Sequence, residues 1–106
     1  MRKPLFLAVI AALCTPLWAQ ETTPAMVAAA EKEGKVVWYA SVDVKVAEEV
    51  AKMFKAQYPK IEVEVERSGS ERVLQRINQE AGSSIYNVDV VNSSDASHFL
   101  FWKQQG

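Results

Sequence analysis

The 106-residue chain predicts an α/β fold built on a parallel three-stranded sheet with flanking helices. Two observations carry that expectation. Apolar periods of about 3.6 and of two alternate along the chain in the order α-β-α-β-α-β-α. The first strand, residues 36–40 in "KVVWYAS", is nearly all apolar, as a strand covered on both faces must be. Connections are short and no internal repeat interrupts the series, so the strands are expected to run parallel with right-handed crossovers.

Residues 1–19 precede this pattern and have the layout of a secretory signal. Arg2 and Lys3 make a positive start, residues 5–13 form an apolar run too short to span a bilayer, and Ala19 is the small residue before the expected cut. Leu13 ahead of Cys14 argues against lipidation there, because a lipoprotein signal takes a small residue at that place. The mature segment, 20–106, then has no cysteine and relies on neither disulfides nor thiol chemistry. Without Arg2 and Lys3, ten basic residues face thirteen acidic ones, a formal charge of −3 with no basic block, which argues against a nucleic-acid partner. Its 87 residues suffice for one modest core, one lobe and not two.

Each element has its own signal. "TTPAMVAAAEKEGK" reads as a first helix with Thr23 as N-cap, Pro24 where a missing N–H does no harm, and Gly34 just past the end. After the first strand, "VDVKVAEEVAKMFKAQYP" places Val46, Val50, Met53 and Phe54 at helical spacing, with Pro59 as a stop. "IEVEVERS" alternates Ile61, Val63 and Val65 with Glu62, Glu64 and Glu66, a strand with one face in water and therefore at a sheet edge. Beyond Gly69, Val73, Leu74, Ile77 and Ala81 form the stripe of a third helix that ends near Gly82. "VDVV" is the third strand, and "DASHFLFWKQQ" opens a fourth helix capped by Asp95.

In open parallel sheets, ligands bind beyond the carboxyl ends of the strands. All three strands end here in small polar residues: Ser41 after the first, Ser68, Gly69 and Ser70 after the second, and Ser93, Ser94 and Asp95 after the third. Each cluster is followed by a helix whose first N–H groups favour an anion or an oxygen-rich ligand. Ser and Asp are also ordinary caps, so any one cluster is explained by capping alone. Three on one rim, with Gly69 open to close backbone approach, favour ligand binding.

Catalysis and metal binding draw less support. Asp95 and His98 share one helical turn, whereas a triad needs nucleophile, base and orienting acid in line, and there is no Gly-x-Ser-x-Gly elbow. No catalytic residue is assigned, and a serine hydrolase using Ser94 or Ser70 is the weaker alternative. With one histidine and no thiolate, the mature segment predicts no metal site and no cofactor, and His98 reads as a partly buried helix residue. Residues 99–102 form an apolar stretch with little to pack against, which leaves open a stand-alone interaction module that uses it as a contact patch.

The ordered series "AAEKEGKVVWYASVD", "FKAQYP", "RSGSERVLQRINQEA" and "VDVVNSSDASHFLFWKQQG" resembles the start of a periplasmic solute-binding protein of ABC importers. Within that group it is most similar to the branch of ferric-iron, phosphonate, thiamine and polyamine binders. The resemblance implies a type II binding protein, with two α/β lobes closing over a ligand, and the chain matches the N-terminal part of lobe one with sheet order 2-1-3. It implies a periplasmic, non-enzymatic carrier of a small anionic solute or ferric iron, monomeric at full length, that delivers to a permease in the inner membrane. It places Ser41, Ser68, Gly69, Ser70, Ser93, Ser94 and Asp95 at the cleft. Iron binders of the branch often supply a histidine from the first loop, where this chain has "YASVD". With one partial lobe matched, the chain is expected to be a truncated product.

Overall fold

A computed structural model describes residues 21–106; the expected secretory segment, with Cys14 and the cut at Ala19, lies outside the described residues. Seven elements follow in order: α1 (Pro24–Glu33), β1 (Lys35–Ala40), α2 (Val44–Gln57), β2 (Glu62–Arg67), α3 (Ser70–Gly82), β3 (Val90–Val91) and α4 (Ala96–Gln105). The strands form one all-parallel sheet ordered β2-β1-β3, as expected. Among the described residues, no helix is long and apolar enough to cross a membrane.

The ends of α1 show why local sequence is enough to set a boundary. The Thr23 hydroxyl accepts from the Met26 N–H at 3.2 Å, Pro24 opens the first turn, and Gly34 adopts φ +76° as its N–H closes on the Ala30 carbonyl at 2.9 Å. A side chain at Gly34 would meet ordinary contact distances, so the left-handed backbone alone calls for glycine there.

β1 is central and pairs with β2 from Lys35↔Glu62 to Ala40↔Arg67, and with β3 at Trp38↔Val90 and Tyr39↔Val91. Period two divides its side chains between the two faces. Val37 and Tyr39 meet Val73 of α3 in the core, with Ile77, Val88 and Val91 packed around them. Val36 and Trp38 look the other way, with Val63 and Val90, into a groove of about 280 Å³ beside Val50, Ala51 and Phe54 of α2. The chain steps from β1 to β2 on one side and returns to β3 on the other, so right-handed crossovers put α2 and α3 on opposite faces.

Several expectations need correcting. The expected α2 stripe is rotated by roughly a quarter turn. Phe54 is half-buried as expected and Val50, though exposed, borders the groove, but Val46 and Met53 are exposed, while Ala47 is buried and Ala51 half-buried, because small alanines let the helix approach the sheet closely. Ala81 of the expected α3 stripe is exposed. β2 does lie at an edge, yet its acidic face is not simply in water. Arg76 of α3 reaches across to Glu66 and Glu80 and lies 4.3 Å from the centre of the Tyr39 ring.

The third strand is shorter than "VDVV", two residues and not four. Side chains extend its pairing at both ends. The Asp89 carboxylate accepts from the Val37 N–H at 2.8 Å, and the Asn92 side-chain carbonyl accepts from the Ser41 N–H at 3.3 Å. Phe99, Leu100 and Phe101 on α4 remain exposed, consistent with an apolar stretch that has little to pack against.

Candidate functional site

The strand order reverses at β1, which makes the gap between the carboxyl ends of β1 and β3 the topological switch point where ligands of open α/β sheets bind. Side chains already join the loops across it. Asn92, at the end of β3, accepts from the Ser41 hydroxyl at 3.1 Å as well as from the Ser41 N–H. The second mouth is tied to the first by the Ser68 N–H, which donates to the Ala40 carbonyl at 2.9 Å. It is tied to the third by Ser70 and Ser94, whose hydroxyl oxygens lie 2.7 Å apart while the Ser94 N–H donates to the Ser70 Oγ at 3.0 Å.

The three mouths expected to share one rim are thus hydrogen-bonded into one. Between the Ser70 and Ser94 hydroxyls, one proton serves the mutual bond, and the other is left to donate outward whichever way the first points.

Capping explains part of the rim and fails to explain the rest. Asp43 caps α2 by accepting from the Lys45 N–H at 2.9 Å, and Asp95 caps α4 by accepting from the Ser97 N–H at 2.8 Å. Hydrogen bonds from the Ser97 hydroxyl and N–H hold the Asp95 carboxyl below its ordinary range. The α3 N-terminus differs: Gly69 precedes it and supplies no side-chain cap. Gly69 has φ −69°, so no left-handed turn requires it, and a Cβ there would touch no protein atom within 4 Å. Its consequence is an α3 whose first N–H groups have no side-chain acceptor from the cap position and open onto the rim.

Sequence reasoning missed three residues at this rim and underrated a fourth. Arg67, the last residue of β2, turns its Nε toward the Val42 carbonyl at 3.2 Å and so sets a guanidinium beside the first mouth. Asn92 bridges β3 to Ser41. Glu71, in the first turn of α3, meets His98 of α4, with Oε1 3.0 Å from Nε2. His98 is 3 % exposed, buried where a partly buried residue was expected, and its Nδ1 lies 2.8 Å from the Ser93 hydroxyl. Position next to a strand end could have pointed to Arg67 and Asn92. No signal in the sequence pairs Glu71 with a histidine 27 residues away.

The hydroxyls of the hydrolase alternative, Ser94 and Ser70, bond to each other. Ser93, not Ser94 or Ser70, is the hydroxyl in contact with His98, and Glu71 meets the opposite ring nitrogen from a mostly exposed position. The Ser93 oxygen also accepts from the Asp95 N–H at 3.2 Å, which ties it into the helix cap. The apolar groove under α2 is lined almost wholly by hydrocarbon and has few polar groups to orient a ligand, so the chemistry-bearing surface is the rim. No family model, no curated protein and no solved structure matches the chain.

Proposed function

We propose that the chain captures a small anionic solute at this rim, as the ligand-binding lobe of a periplasmic solute-binding protein that delivers its cargo to an ABC importer's permease. The observation that carries the reading is the combination at the second mouth. An uncapped helix N-terminus, a serine pair with one free hydroxyl proton, and the Arg67 guanidinium at the neighbouring strand end all favour negative charge. The groups at the second mouth are backbone N–H groups, the Ser70 and Ser94 hydroxyls and the Arg67 guanidinium, and those two hydroxyls bond to each other and not to His98, which suits reversible capture more than turnover. The resemblance to the phosphonate and iron-binding branch supplies the transport context, and in that context binding biases the closure of two lobes.

Titration with inorganic phosphate and with methylphosphonate, followed by amide NMR, tests the reading. Saturable shifts are expected at Ser70, Glu71, Arg72 and Ser94, and Ser70→Ala should weaken binding about tenfold, the effect of losing one charge-assisted hydrogen bond. Shifts that never saturate, or that saturate equally in the Ser70→Ala variant, would remove the rim as an anion site.

A further inference from the structure

We propose that Glu71, Asp95 and His98 form a binding site for a divalent first-row metal ion, zinc by the character of its donors. The inference goes beyond solute capture and does not depend on it. The three side chains come from the first turn of α3, the cap of α4 and the first turn of α4, and each brings one donor atom to a point where all three lie within 4.8 Å of one another. His98 Nε2 is 3.0 Å from Glu71 Oε1 and 3.7 Å from Asp95 Oδ2. Donors about 2.0 to 2.1 Å from a tetrahedral zinc ion sit about 3.3 Å from each other, so the observed separations bracket the required one. Exposed carboxylates on Glu71 and Asp95 can close the remainder by rotation.

The imidazole is prepared for this role in a way that a chance cluster of acids is not. His98 is buried, and the Trp102 ring packs edge-on at a centroid distance of 6.1 Å. Its Nδ1 lies 2.8 Å from the Ser93 hydroxyl, an outer contact that orients the ring and can accept from an Nδ1–H, so that Nε2, which faces the Glu71 carboxylate in the metal-free chain, can give its lone pair to an ion. Asp95 uses Oδ1 for the helix cap, so Oδ2, the oxygen nearer His98, is the one left for an ion. Charge points the same way. Glu31, Glu62, Glu64, Glu66 and Glu80 each pair with a lysine or arginine, whereas among the described residues Glu71 and Asp95 pair with His98 alone. Two carboxylates converging on an imidazole without an arginine or lysine are relieved of mutual repulsion by a divalent cation. One nitrogen and two carboxylate oxygens suit zinc or manganese better than calcium, which takes oxygen donors.

Because the chain has a single histidine, one set of imidazole resonances reports the site. The full chain, stripped with chelator and titrated with zinc chloride, should bind one equivalent by calorimetry as the His98 ring signals move to a new position. His98→Gln should abolish that event. Since a buried position can affect folding, Glu71→Gln, at an exposed position, provides the second variant. It should keep the parent's melting temperature without metal and bind zinc at least about tenfold more weakly. Zinc binding that leaves the His98 signals in place, binding unchanged in Glu71→Gln, or no stoichiometric binding would each overturn the proposal. The titration contains neither phosphate nor phosphonate nor sulfate, so its failure leaves the rim's solute reading standing, and failure of the phosphate titration leaves this site standing.

Discussion

Tyr39 shows how one side chain joins the core to the polar surface. Its ring is 1 % exposed, its hydroxyl donates to Glu80 Oε1 at 2.8 Å, and Arg76 lies over its face. Burial, then the hydrogen bond to Glu80, push the Tyr39 hydroxyl from an ordinary 10.0 up to about 12. The Arg76 hydrogen bond holds the Glu80 carboxyl below its ordinary range, although burial works in the opposite direction. Between pH 10 and 12 the folded chain keeps a proton that the unfolded chain has released, so stability is full below pH 10 and falls as the pH rises through 12. Two units correspond to at most about 3 kcal/mol. At pH 8, Tyr39→Phe should cost about 1 kcal/mol for the lost hydrogen bond. By about pH 12 the order should reverse, because phenylalanine has no proton to lose. Urea denaturation of both proteins at the two pH values decides it, and a parallel alkaline fall in both would show that the hydroxyl is not coupled to folding.

At the level of elements, the interest lies in β3, which is two residues long yet forms one side of the switch point. A two-residue strand contributes few ladder bonds, and Asp89 compensates by meeting β1 twice: its N–H donates to the Val37 carbonyl at 3.0 Å and its carboxylate accepts from the Val37 N–H at 2.8 Å. Asp89→Ala would strand that buried N–H and should cost about 1 to 3 kcal/mol. The same variant should speed amide hydrogen exchange at Val37 and Tyr39 above all; uniform acceleration across the sheet would mean that β3 is held by packing alone. Elements of this kind mark the limit of what the sequence discloses. Thr23, Pro24 and Gly34 bound α1 through contacts within a few residues, and the alternation in β2 sets its faces directly, so both were legible. The span of β3 was not, because Asp89 and Asn92, on either side of the two ladder residues, hold to β1 through a mixture of backbone and side-chain bonds. The buried side of α2 was also misread, since alanines that pack by being small carry less weight in an apolar pattern than exposed valines. At the site, the serine clusters were legible from strand ends, whereas the Glu71–His98 contact depends on how α3 and α4 meet.

Across the molecule, the apolar side chains buried among the described residues are Val37, Tyr39, Ala40, Ala47, Ile61 and Val73, and two of them are alanines. A core so small leaves each large member with a disproportionate share of a marginal total. Phe99, Leu100 and Phe101 of α4 contribute little to it, at 45 %, 64 % and 41 % exposure. Phe99 does keep an edge-on contact with Trp102, at a centroid distance of 5.4 Å. Two truncations therefore separate core from surface. Val73→Ala should cost about 2 kcal/mol, the loss of two buried methyl groups and the cavity they leave. Phe99→Ala should cost under about 1 kcal/mol, far below the 3 to 5 of a fully buried ring, because nearly half of it is already in water. Both are read from urea midpoints at several protein concentrations. Equal, concentration-independent costs would place Phe99 in the core and refute the packing of α4 described above. A Phe99 cost that grows with protein concentration would mean that α4 is covered by another chain, since only association links stability to the amount of protein present.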